Sequence, residues 1–198
     1  LQLDPKLVTA HVNLIALYGR LGQPEKAEEH YRAAVSLNPN QFANLHYYYG
    51  VLLLSQGKYQ EAEQAFQQAL QVNPFYAEAH NNLGALLERQ GRLEEALGEF
   101  RKACENRPDF RLAHFHIGRI LTNQKKYNEA IEHFLKTLTP EDESTPTYLY
   151  ALAATYARAG DRATALTYYR RAQQEATTRG QAQLLKSIER DLRLLEAK

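Results

Sequence analysis

Histidine recurs in this 198-residue chain at His11, His46, His80 and His114, 34 or 35 residues apart. Imidazole is the commonest transition-metal ligand and the side chain that exchanges protons near neutral pH, so a regular ladder of four raises the question of a metal site. Zinc bound by two or three of them needs Zn–N bonds of about 2.0–2.1 Å, and hence ring nitrogens within roughly 4 Å of one another. Equivalent positions on stacked helical repeats sit at least about 8–10 Å apart. The ladder therefore cannot converge on one ion, and the four rings read as flat, half-buried packing groups. His30 and His133 are too far apart in sequence to pair with each other and read as surface residues.

The remaining reactive side chains organise no catalytic arrangement. Cys104 is the one cysteine; it excludes an internal disulfide. It falls on a helix-packing slot, with no His-Asn/Asp frame around it of the kind nucleophilic catalysis needs. The carboxylate pairs Glu28-Glu29 and Glu94-Glu95 open helices, where acidic groups favour the helix dipole. No glycine-rich phosphate loop follows a strand, because the sequence shows no strand pattern. Basic residues are scattered, with small clusters such as Arg170-Arg171 and Arg190/Arg193 that carry no interleaved aromatic platform for nucleic acid. With 24 basic and 23 acidic residues, the net charge of +1 draws in neither nucleic acid nor an anionic membrane. No window of 18 apolar residues could span a bilayer. The expectation is a soluble, non-catalytic chain with no cofactor, no metal and no direct membrane insertion. Cytoplasm and periplasm both remain open.

What positions these residues is a repeat. Ala27, Ala62, Ala96, Ala130 and Ala165 fall in register, each followed four residues later by Tyr31, Phe66, Phe100, Phe134 or Tyr169. Three further on sit Ala34, Ala69, Ala103, Thr137 and Ala172. Gly22, Gly57, Gly91 and Gly160 precede the alanine by five, with Lys125 the exception. Two helical hydrophobic patterns per period of this length mark a helix-turn-helix solenoid. The pattern resembles the tetratricopeptide repeat family. That resemblance implies an all-α, right-handed α-solenoid superhelix of tetratricopeptide repeats, closed by a C-terminal capping helix.

The expected organisation is one domain over 1–198: residues 1–7 as the tail of a preceding repeat, repeats at 8–42, 43–76, 77–110, 111–145 and 146–179, and a capping helix at 180–198. The tail is inferred because Leu1-Gln2-Leu3-Asp4-Pro5 matches the repeat end Leu70-Gln71-Val72-Asn73-Pro74. Within each copy, numbered from 1, position 8 is Gly or Ala in four repeats, where the two helices approach most closely. Ile15 breaks that rule and loosens repeat one. Lys125 replaces glycine at a left-handed turn, which costs up to about 1 kcal/mol and makes that turn the weakest. Pro39, Pro74 and Pro108 stop second helices. An acidic loop, Pro140 to Thr145, is expected to end with Thr145 as N-cap and Pro146 as the first helical residue.

The family resemblance also implies a concave groove lined by first helices, which holds an extended peptide or a helix of a partner protein. Its candidate residues are Asn13, Tyr47, Tyr48, Asn81, Asn82, Phe115, His116, Arg119, Tyr150 and Arg158. The aromatics bury much area with few rotatable bonds and suit binding anchors; packing against one another is the competing reading. Asn13 and Asn82 share position 6, where the O-GlcNAc transferase superhelix is similar in placing ligand-holding asparagines, but Tyr48, His116 and Ala151 interrupt that ladder. The carboxylate clamp of chaperone-tail binders is absent, since its slots hold Val12, Ala16, Tyr48, Glu78 and Asn82. Three functions are thus in play: a protein-interaction scaffold, a structural subunit with self-association through second-helix faces or stacked ends, and the regulatory array of an enzyme whose catalytic domain precedes Leu1.

Overall fold

Each repeat becomes a helical hairpin because its two amphipathic segments meet at a turn only a left-handed residue closes. A computed structural model describes residues 5–37 and 42–197. Eleven helices follow in order: α1 (Pro5–Arg20), α2 (Pro24–Leu37), α3 (Ala43–Ser55), α4 (Tyr59–Val72), α5 (Ala77–Arg89), α6 (Leu93–Asn106), α7 (Arg111–Asn123), α8 (Tyr127–Leu135), α9 (Thr145–Ala159), α10 (Arg162–Thr178) and α11 (Ala182–Glu196). No strand occurs among the described residues. The chain divides into two compact units, Leu1–Asn106 and Arg107–Lys198. Residues 1–4 of the expected 1–7 tail and the Pro39 helix stop lie outside the described residues, and Pro5 to Leu7 begin α1.

The repeat's columns have direct packing causes. The position-24 phenylalanines Phe66, Phe100 and Phe134 are almost fully buried. Each lies flat on the backbone of its own first helix, at Gly50, Gly84 and Gly118 respectively. A Cβ added at those glycines would meet ring carbons at 2.7, 2.9 and 2.8 Å, closer than real Cβ contacts allow. The ring takes the space a side chain would need, which is why position 8 is glycine. In repeat one Ile15 fills that slot at 1% exposure, and Tyr31 stacks instead on Tyr49 of α3, with centroids 3.6 Å apart and planes 6° from parallel. Repeat one is thus packed differently rather than loosely.

The turns follow the glycine column, and Lys125 adopts φ 62 in the same left-handed region as Gly91 at φ 79. One helix end departs from expectation. Ser144, not Thr145, is the N-cap of α9, and Thr145 is its first helical residue. Thr145 is fully buried, and its Oγ1 accepts a hydrogen bond from the Asp142 amide at 2.8 Å. This ties the acidic loop down, and that loop is well anchored: Arg111 grips Asp142 with both terminal nitrogens at 2.6 and 3.1 Å. Arg171 reaches Glu141 at 2.6 Å. In the second unit α11 packs Ile188 and Leu192 onto the α9–α10 core, with Leu184, Leu185 and Leu195 partly buried beside them. That stripe on the last helix is the one its sequence spacing predicts.

Candidate functional site

The first helices α1, α3, α5, α7 and α9 carry the candidate residues, and two adjacent positions on each meet different fates. Position 5 faces its own repeat's second helix and the following segment. Tyr47 lies 6.1 Å from Phe66 and 4.8 Å from Tyr76, centroid to centroid. Phe115 sits 5.9 Å from Phe134 and 5.1 Å from Tyr148. Tyr150 packs 5.9 Å from Tyr169, and its hydroxyl donates to Asp191 of α11 at 2.6 Å. Burial and the Asp191 carboxylate push the Tyr150 phenol up to about 12. Val12, at the same position in repeat one, is buried. These side chains are only half exposed or less, and their main contacts are with the repeat itself.

Asn81 is the polar member of that column. Its side chain is 3% exposed. Its Nδ2 donates to Asn82 Oδ1 at 3.3 Å, and Asn82 Nδ2 donates in turn to the Tyr47 hydroxyl at 3.3 Å. Asn81 Oδ1 is buried without a hydrogen-bond partner among the described protein groups, a costly state for an amide.

On α1, α3, α7 and α9, positions 9 and 13, joined by position 6 on all but α7, line open space between first helices. In the first unit Asn13, Ala16 and Arg20 of α1 face Tyr48, Val51 and Ser55 of α3 across a cavity of about 520 Å³ floored by Ile15 and Leu52. In the second unit Arg119 and Asn123 of α7 face Ala151, Ala154 and Arg158 of α9 across a smaller cavity of about 230 Å³. Its floor is the buried Thr122–Thr155 hydroxyl pair, 3.0 Å apart. Arg158 donates to Asn123 Oδ1 at 3.3 Å. Arg119 lies 5.8 Å from the Phe115 ring centre, and His116 meets the same ring edge-on at 6.1 Å. Neither cavity has a carboxylate in its lining, and α1, α3, α7 and α9 contain no Asp or Glu at all. In repeat three, by contrast, α5 carries Glu78 and Glu88.

The histidine ladder does more than fill space. His80 donates through Nε2 to the Pro74 carbonyl at 2.8 Å and meets Glu99 Oε2 through Nδ1 at 2.6 Å. His114 repeats the proline bond to Pro108 at 2.9 Å. Its Nδ1 lies 2.9 Å from His133 Nδ1, and His11 Nδ1 lies 3.0 Å from His30 Nδ1. His30 and His133 are therefore half-buried hairpin partners rather than surface residues. The signal was present in sequence: position 4 and a polar group 19 residues later recur in repeats one, three and four. Among the described residues no three His, Cys, Asp or Glu side chains converge on a common point. No helix among them is long and apolar enough to cross a membrane.

Comparison with known proteins agrees with this fold. Tetratricopeptide repeat family profiles match residues 6–74, 50–109, 113–139 and 146–171. A Haemophilus influenzae protein described as uncharacterized is 37% identical over 79 residues, which cover 40% of this chain and 44% of that protein. The match thus spans less than half the length of that curated relative. The fold is similar to that of Pseudomonas aeruginosa PilF (TM-score 0.74, 22% identity, 96% of this chain and 92% of that one). It is also similar to YrrB, described as a TPR protein with an unusual peptide-binding site (TM-score 0.71, 23% identity, 91% and 90%), and to the MamA protein (TM-score 0.73, 16% identity, 90% and 96%). With its in-register alanine, aromatic and glycine columns folded as successive helical hairpins, this chain belongs to the tetratricopeptide repeat family.

Proposed function

We propose that this chain is a protein-interaction scaffold that performs no chemistry itself and holds a segment of a partner protein, as an extended peptide or a helix, along its first-helix faces. The observation that carries this reading is the shared register of the two cavities. In both units positions 9 and 13 of neighbouring first helices, with position 6 of α1, α3 and α9, open onto solvent, while position 5 is spent on packing. Arg20 and Arg158 stand at these openings, and neither lining contains an Asp or Glu. Guanidinium forks suit carboxylates, so the partner segment presents Asp or Glu side chains. Tyr48 and Val51 supply the apolar contact area in the first unit.

The test is selection from a displayed peptide library on the protein, followed by affinity measurement with two double variants, Asn13→Ala/Tyr48→Ala and Arg119→Ala/Arg158→Ala. The reading requires acidic peptides to be enriched and both variants to lose affinity at an unchanged melting temperature. Peptides whose affinity ignores all four substitutions refute it.

A second reading, assembly through a repeat end, rests on one observation. Leu7, Ala10, Leu14 and Leu17 form a helical stripe on α1 that Leu21 continues in the turn after it, with Leu7, Leu17 and Leu21 at 48, 40 and 57% exposure. Their equivalents inside the array, such as Ala79, Leu83 and Leu86, are buried at 0, 6 and 2%, since α4 packs against α5. A concentration-dependent oligomer that Leu17→Glu dissolves supports this second reading; a monomer throughout removes it.

A further inference from the structure

The pairing of positions 4 and 23 differs between repeats in a way that gives each hairpin its own response to protons. His114 sets the logic. Its Nε2 must carry hydrogen, because the Pro108 carbonyl 2.9 Å away can only accept. A neutral His114 therefore presents a bare Nδ1, and His133 must donate Nδ1–H across the 2.9 Å contact. A proton placed on His114 Nδ1 sets two N–H groups against each other unless His133 shifts its hydrogen to Nε2. The pair can hold one proton in excess of neutral. A second leaves two imidazolium rings donating into the same 2.9 Å gap, and the contact must break.

His80 obeys the opposite rule. Its Nε2 donates to the Pro74 carbonyl, and its Nδ1 faces the Glu99 carboxylate at 2.6 Å. The doubly protonated ring satisfies both acceptors, so acid does not break this contact until the carboxylate itself is neutralised. Glu99 is held below the usual carboxylate range against its own burial by hydrogen bonds from His80 and Lys102. The 3.0 Å contact between His11 and His30 is of the first kind.

We propose that the His114–His133 and His11–His30 contacts are acid-released latches that open the α7/α8 and α1/α2 hairpins, while the His80–Glu99 contact keeps α5/α6 closed.

The surroundings of the latches are compatible with this. Burial and the field of Lys136, at the end of α8, disfavour a proton on His114. Arg111, one turn before it on α7, is turned away to Asp142 and the Thr137 carbonyl, and Arg107 lies over the Phe110 ring at 3.7 Å. The α8 carboxylates Glu129 and Glu132 are exposed. In the first unit His30 stacks on Tyr18 at 5.5 Å, and Lys26 lies 5.3 Å from the same ring centre. Glu25 and Glu29 on α2 are exposed, Glu28 is held by Arg32 at 2.6 Å, and the one titratable imidazole that α3 brings to this hairpin, His46, lies with its Nδ1 3.3 Å from the Tyr31 hydroxyl. The consequence reaches the binding face, because Phe115 follows His114 on α7 and packs on Phe134, which follows His133 on α8. Opening this latch loosens the wall behind Arg119.

The experiment is amide hydrogen exchange on the whole chain at pH 7.5 and pH 5, corrected for intrinsic rates, with the variant His133→Glu alongside. Protection of α7/α8 and α1/α2 should fall by about tenfold or more relative to α5/α6, the size of one unit of proton linkage. His133→Glu should remove the response of α7/α8 and leave that of α1/α2. A fall shared equally by α5/α6, or a variant that responds like the parent, overturns the proposal. Imidazole nitrogen NMR at pH 7.5 gives a check that needs no variant: His114 must carry hydrogen on Nε2 and His133 on Nδ1, and any other assignment also overturns it.

Discussion

Gly84→Ala and Gly98→Ala make the same chemical change in the two helices of one repeat, and the structure requires Gly84→Ala to be the less stable of the two. Both glycines lie inside helices, α5 and α6, so both substitutions gain the same propensity term of about 1 kcal/mol. At Gly98 nothing lies within 4 Å of an added Cβ, so that gain is realised in full. At Gly84 the new carbon meets Phe100 Cδ1 and Cε1 at 2.9 Å and Cζ at 3.1 Å. Phe100 is 0% exposed and has no free volume to retreat into, so the helices must part. Overpacking of this kind costs about 1–3 kcal/mol. Because the propensity terms cancel, the stability difference between the two variants reads the overpacking term alone. Urea unfolding at constant m-value should place Gly98→Ala above the parent and Gly84→Ala about 1–3 kcal/mol below Gly98→Ala. Equal midpoints for the two variants would mean that the ring does not hold this helix contact, and the packing account of the glycine column would fail with it.

Lys125→Gly relieves the left-handed strain at φ 62 and should stabilise the second unit by up to about 1 kcal/mol, part of it offset by unfolded-chain entropy, read as a midpoint shift. Tyr150→Phe removes the 2.6 Å bond to Asp191. It should cost about 1–2 kcal/mol, seen as faster amide exchange confined to α11 and its neighbours. His114 is pushed below the ordinary histidine value of 6.5 by burial, so it favours the folded state while neutral. That contribution is present above about pH 6.5 and is lost as pH falls through the lowered folded value. Urea midpoints should therefore drop between pH 7 and pH 5 more in the parent than in His114→Gln. Asn81→Leu removes a buried, unpartnered carbonyl and should leave stability unchanged or raise it by about 1 kcal/mol.

The repeat was legible in the sequence because five copies read the same hairpin five times, and each column reports a single contact. The alanine marks where the second helix crosses the first, and the aromatic four residues on marks the ring that replaces a side chain at Gly50, Gly84 or Gly118. The division between positions 5 and 6 was not legible. Both lie on the inward side of an isolated helix, and only the angle of the next element decides that Tyr76 and Tyr148 cover the first while the second stays open. The histidine partners were hidden for a related reason. His11 and His30 sit 19 residues apart on different helices, and helical periodicity within one segment says nothing about which faces a turn will bring together. The α9 start was displaced by one residue because Thr145 uses its hydroxyl to hold the preceding loop instead of capping the helix that follows.

That the inward column divides into a packed row and an open row has an evolutionary corollary. In the groove proposed above, exchanging side chains at Asn13, Ala16, Arg20, Val51 and Ser55 would change what is recognised without disturbing what keeps the hairpins together, whereas drift at Tyr47, Phe115 or Tyr150, or at Tyr48, which also packs against the first-unit core, would threaten the scaffold first. Recognition can therefore be retuned at almost no cost in folding, and a randomised library confined to the open row should yield folded members in high proportion.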